Sequence, residues 1–303
     1  MSEIPSVRLS EITLQMFSSS TIELPLAIAP SLRELLVQFG VLLAAILVAV
    51  SFVILFNAAC HARGTTLLAP FVWSLISLTL IVTAYLYLLQ PMRYAPAVNQ
   101  REALWLIALC SSFCPLLALL GAKRPQNRMW QFIVASFWII AALPAIQSLV
   151  LHPQEPFEVS TLWSWLYLIL LLLGAANFFP TRYALPALLA TAGQIILLLP
   201  FLPISLSFPD QPLIGLTMLS AGICLAQLLS NRRTKKNSHQ EMTTLCPWNR
   251  VWVDFSNAYG LVWGIRVMDR IEAVLQSTDA QAWLQWSGFR SASRQGDQTD
   301  DAL

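Results

Sequence analysis

Charge is what this chain most lacks. Only 11% of its 303 residues are Asp, Glu, Lys or Arg, and 56% are hydrophobic, whereas soluble domains carry roughly 25% charged residues. The net charge of +2 gives no reason to expect a nucleic-acid partner. The five cysteines (Cys60, Cys110, Cys114, Cys224, Cys246) are odd in number and lack paired spacing in an exposed loop, which argues against a disulfide framework. Met1 to Glu23 hold three acids, one arginine and no apolar stretch. A cleavable signal peptide is therefore not expected, and the first membrane span is read as its own insertion signal.

Other absences remove whole classes. No phosphate-binding glycine loop, zinc-protease histidine pair or nucleophile elbow is present. Retinal proteins need a lysine in their seventh span, and 213–230 has none; receptor signatures at the ends of spans three and seven are also missing. No internal repeat stands out, which weakens transporter folds built on duplicated halves.

What is present is a succession of long apolar runs. A hydrocarbon core about 30 Å thick needs about 20 helical residues, and seven segments qualify: 36–60, 67–90, 103–121, 129–151, 161–179, 184–204 and 213–230. None has an acidic or basic residue in its interior. Ser31-Leu32-Arg33-Glu34 forms a capping box before the first. The link Pro180-Thr181-Arg182-Tyr183 is short enough that re-entry of spans five and six is an alternative to two crossings. The expected fold is an all-α integral membrane protein, a bundle of about seven transmembrane helices with a short cytoplasmic amphipathic helical tail. Its parts are an extracytoplasmic lead (1–30), the bundle (31–230), a basic linker (231–246), an aromatic amphipathic segment (247–289) and a disordered end (290–303).

The connectors carry the orientation. Placing the C-terminus inside puts Arg63, Lys123, Arg124, Arg128, Arg182, Arg232, Arg233, Lys235 and Lys236 inside, nine cations with no acid before Glu241. The outer segments then hold four cations (Arg8, Arg33, Arg93, Arg101) and eight acids. This satisfies the positive-inside rule, so the N-terminus is expected outside a plasma (inner) membrane and the C-terminus in the cytoplasm.

Pro247 opens the tail helix at a favoured first-turn position. Trp248, Val251, Trp252, Phe255, Tyr259, Val262 and Trp263 share one helical direction, which becomes charged at Arg266, Asp269 and Arg270. Either two faces serve two neighbours, or the helix bends at Gly260 and Gly264, where close backbone contact is expected. Asp269 between the two arginines suggests an ion pair on the helix surface. Trp283, Leu284, Trp286 and Phe289 suggest a short strand or an anchor folded back on the helix. Trp248, Trp252, Phe255, Tyr259, Trp263, Arg266 and Arg270 are the candidate partner- or lipid-binding residues.

Intramembrane polar residues (Thr79, Thr83, Ser111, Ser112, Gln131, Gln147, Asn177, Gln194, Gln227) are expected mainly as interhelical hydrogen-bond links. Gln147 and Gln194 are the candidates for a ligand or permeation role. Cys110-Ser111-Ser112-Phe113-Cys114-Pro115 resembles, over this motif alone, the copper motif of certain oxidase-assembly proteins. There it lies in a water-exposed domain with a distant histidine ligand. Here it is mid-membrane and no span holds a histidine, so Cys110 and Cys114 are read as a helix contact and no cofactor is expected. His61, His152 and His239 fall near the membrane surfaces and cannot jointly hold one haem.

The leading expectation is a non-catalytic subunit, an accessory or assembly partner of a larger membrane complex. Its partners would be the bilayer and another membrane or membrane-associated protein. The alternative is a transporter or channel component for an uncharged or lipophilic solute. A weaker third reading is a lipid-directed enzyme using His61 and Arg182.

Overall fold

The computed structural model describes residues 30–90, 98–121, 128–151, 155–204, 206, 210–236, 246–278 and 282–291. The chain divides into two compact units, Met1–Val41 and Leu42–Leu303, and the packing below is that of the second. The helices are α1 (Pro30–His61), α2 (Leu68–Leu88), α3 (Val98–Cys110), α4 (Cys114–Leu120), α5 (Arg128–Ala141) and α6 (Leu143–Leu151). They continue with α7 (Thr161–Phe178), α8 (Ala184–Leu198), α9 (Gln211–Lys236) and α10 (Cys246–Ser277), followed by an antiparallel hairpin of β1 (Ala282–Gln285) and β2 (Gly288–Ser291). The hairpin is a small departure from the all-α expectation. The lead up to residue 29, the capping-box side chains, Lys123, Arg124, His152, His239, the linker 237–245 and residues 292–303 lie outside the described residues.

Among the described residues, six helices are long and apolar enough to cross a membrane: Gln38–His61, Leu68–Leu88, Gln100–Leu120, Thr161–Phe178, Ala184–Phe201 and Gln211–Asn231. Met129–Ala141 and Leu143–Leu151 make a seventh if the pair, bent by 57°, counts as one span. In the first of these segments only 17% of the most apolar window is buried inside the protein. Phe39, Ile46, Val53 and Phe56 are among its exposed side chains. Water would not tolerate apolar surface on that scale, and lipid would. The chain is an integral membrane protein by this criterion.

The break falls in α5–α6, where the sequence had drawn attention to 180–183 instead. Pro144 has no N–H and its ring crowds the preceding turn, so the backbone bends there. The Ala141 carbonyl at the bend accepts from the Tyr167 hydroxyl at 2.7 Å and the Cys110 thiol at 3.4 Å. At two other prolines a side chain takes up the carbonyl that the missing N–H leaves free. Pro115 leaves the Ser111 carbonyl short of its usual partner, and the Ser77 hydroxyl donates to it across the interface where the chain tightens to a 3₁₀ turn (Ser111–Phe113). Pro200 does the same to Ile196, whose carbonyl accepts from Gln211 Nε2 at 2.6 Å. Polar side chains in the spans thus answer specific backbone interruptions.

The core gathers α2, α3 and α5 through α9 around Leu106, Leu109, Tyr167, Leu197 and Leu198, all buried. α8 and α9 approach at backbone distance: a Cβ at Gly193 would stand 2.6 Å from the Leu219 nitrogen and 2.7 Å from the Gly215 oxygen. Small residues let membrane helices approach this closely.

Candidate functional site

The tail is seated on one end of the bundle. α10 leaves helical geometry at Gly260, with φ 77° and ψ −167°, a conformation open essentially to glycine alone. The break frees backbone groups, and the buried side chain of Asn177, at the end of α7, takes up two of them. Its Oδ1 accepts from the Val262 N–H at 3.1 Å and its Nδ2 donates to the Tyr259 carbonyl at 3.5 Å. The approach needs the missing side chain, since a Cβ at Gly260 would stand 2.6 Å from the Asn177 carbonyl oxygen. Gly264 makes equally close contact with the Trp286 ring, at 2.6 Å for the corresponding Cβ. Both glycines therefore mark the expected notch, and the bend is at the first.

Further contacts tie the tail to two connectors and to the end of α4. Tyr259 and Thr66 share a short hydroxyl–hydroxyl hydrogen bond. Trp263 Nε1 donates to Leu119 O at 3.1 Å, and the Arg182 N–H donates to Asn257 Oδ1 at 2.9 Å. The hairpin closes the arrangement: Trp286 Nε1 donates to Pro180 O at 2.9 Å, and Trp252 Nε1 to Trp286 O at 3.0 Å. Asn249 Oδ1 accepts from the Phe289 N–H. Trp252, Phe255 and Tyr259 stack in sequence, with ring centroids 6.1 and 4.8 Å apart. The two connectors follow α1 and α7 and carry Arg63 and Arg182, and the sequence that follows α4 carries Lys123, Arg124 and Arg128.

The shared direction of the aromatic residues divides on docking. Trp252 is 3% exposed, and Phe255, Tyr259 and Trp263 are half-buried against the chain itself, while Trp248 is 65% exposed. Arg266 and Arg270 are also exposed. Arg266 lies over the Trp263 ring with Cζ 5.5 Å from its centroid, so it engages an aromatic face, and an ion pair with Asp269 is not formed. An ion pair does join Arg250 and Asp254 at 4.0 Å, on the surface where such pairs contribute little.

The remaining candidates do not converge. Gln147 is exposed on α6; Gln194 is half-buried on α8 and spends its amide on Ser112 O at 3.3 Å. Cys110 and Cys114 are fully buried, the first bound to the α5–α6 bend. Among the described residues no three His, Cys, Asp or Glu side chains are grouped to hold a metal. His61 is exposed and its Nδ1 is 2.7 Å from Asn57 O. Arg128, Arg232, Arg233, Lys235 and Lys236 are helical, but their side chains lie outside the described residues.

A cavity of about 420 Å³ lies between the α7–α8 connector and the tail, lined by Pro180, Arg182, Val253, Ser256, Asn257 and Trp286 among others. The sequence singles out Arg182 as a connector charge and as a candidate beside His61, and Asn177 as a hydrogen-bonding link between helices, but it gives no sign of Asn249 and Asn257 as residues that grip. An asparagine in an apolar run and a glycine in a helix are each ordinary, and only folding brings them together. Comparison of the chain with protein-family models, curated proteins and solved structures returned no match, so the site is argued from its geometry.

Proposed function

We propose that the chain is a seven-span plasma (inner) membrane protein with its C-terminus in the cytoplasm. It serves as a non-catalytic accessory or assembly subunit of a larger membrane complex, docking through the tail. Two observations support the count of seven. Asn177 brings the end of α7 to the tail, as Trp263 does the end of α4. An 18-residue helix such as α7 is about 27 Å long, so its start lies far from the tail and α5–α6 must carry the chain there. Phe157, just before α7, accordingly packs on Phe201, at the far end of α8, with centroids 5.8 Å apart. The cytoplasmic assignment follows from the basic connectors grouped at the tail.

The subunit reading rests chiefly on the way the tail is held. It is clamped to its own bundle, yet Trp248 and Val251 before the Gly260 break, and Ile265, Arg266 and Arg270 after it, remain exposed. A fixed segment presenting aromatic, aliphatic and cationic side chains suits protein contact better than a mobile one, because little ordering entropy remains to be lost. Photo-crosslinkers at Trp248, Val251 and Ile265 in the full-length protein in native membranes should yield one discrete protein adduct. A partner retained at fixed stoichiometry by wild type should be lost in Trp248→Ala/Val251→Ser. Purification of the chain alone, with crosslinks to lipid only, overturns the reading. The transporter alternative would need Gln147 and Gln194 on a common passage, and their separate environments lend it no support.

A further inference from the structure

Among the described residues, the cavity beneath the tail has one cationic side chain in its wall, that of Arg182. Asn257 uses Oδ1 on the Arg182 N–H and Nδ2 on Val253 O at 2.6 Å. The Trp286 indole is committed to Pro180, and the Ser256 hydroxyl donates to Val253 O at 3.2 Å. The Arg182 guanidinium differs. Nη2 donates to the Tyr183 hydroxyl at 2.6 Å and Cζ lies 4.7 Å over the Tyr183 ring, but Nε is buried without a hydrogen-bond partner. The cavity wall contains no Asp or Glu, and among the described residues no carboxylate pairs with Arg182. Arg182 is half-buried and no described carboxylate neutralises it, and the planar fork of a guanidinium suits phosphate oxygens. Arg101 makes a useful contrast. Its Nε is likewise unpartnered, but its other nitrogens reach Leu88 O and Gln90 O across a helix end, and it does not line the cavity.

We propose that this cavity binds a phosphate-bearing anion through Arg182. The cavity lies where the apolar helices end on the basic side of the bundle, at headgroup level, so an anionic phospholipid and a free phosphate both have access to it. The proposal is independent of the partner-docking reading. It is tested on the delipidated full-length protein in neutral detergent, with bound ligand followed by native mass spectrometry. The probes are phosphatidylglycerol, diacylglycerol lacking the phosphate, and inorganic phosphate.

Binding of phosphatidylglycerol but not diacylglycerol supports a lipid headgroup. Equal competition by inorganic phosphate supports the same site with a free anion as its occupant. In either case Arg182→Gln should weaken binding at least about tenfold, and Arg63→Gln, at an exposed position outside the cavity, should leave it unchanged. Equal binding by wild type and Arg182→Gln overturns the proposal, as does an equal loss in Arg63→Gln. If Arg182→Gln does not fold, Ser287→Glu keeps the arginine and adds a carboxylate to the cavity wall. Weakened binding in that variant supports the site and unchanged binding overturns it.

Discussion

Asn177 does two jobs with one amide, and its chemistry separates them. Asn177→Leu removes both replacement bonds at the Gly260 break, leaving two backbone groups buried without partners, at a cost of roughly 2–4 kcal/mol. Asn177→Asp retains an acceptor for the Val262 N–H but cannot donate to the Tyr259 carbonyl when ionised, so its loss should be intermediate. Thermal unfolding and protease sensitivity of residues 246–278 would register this order; equal behaviour of the two variants contradicts it. Tyr167 offers a second test. Tyr167→Phe removes the hydroxyl that donates to the Ala141 carbonyl at the bend and should lower stability in thermal unfolding by about 0.6–1.7 kcal/mol.

At the scale of elements, the α8–α9 contact depends on Gly193. Its substitution by alanine forces backbone apart, with an expected loss of roughly 1–3 kcal/mol. Thermal unfolding of Gly193→Ala would report the loss. These elements were the most legible part of the sequence. Six apolar runs match their helices to within a few residues, because hydropathy is a local property read by the solvent directly. Bending was less legible. Pro115, Pro144 and Pro200 look alike in sequence, yet only the helix pair around Pro144 is bent by 57°, while the other two sites tighten into 3₁₀ turns. Which outcome occurs depends on neighbouring donors such as Ser77, Gln211 and Tyr167. The tail's seat was least legible, since Asn177 and Gly260 lie far apart in sequence and neither carries a motif.

For the whole molecule, the grouping of the tail with alternate connectors makes a compartment prediction. Ser277→Cys and Arg63→Cys should both be protected from a membrane-impermeant thiol reagent in intact cells, and Glu158→Cys should be labelled. Labelling of Glu158→Cys and Ser277→Cys together would mean that α5–α6 turns back without crossing.

The Gly260 break, completed by a side chain from α7, also fixes an order of events. α10, synthesised after α7, contains a fault that it cannot mend from its own residues. Its second half gains proper backbone partners only after α7 has been inserted and its end has reached the correct face. A misthreaded bundle would leave that fault open to water and proteases, so the seated tail reports that membrane insertion is complete.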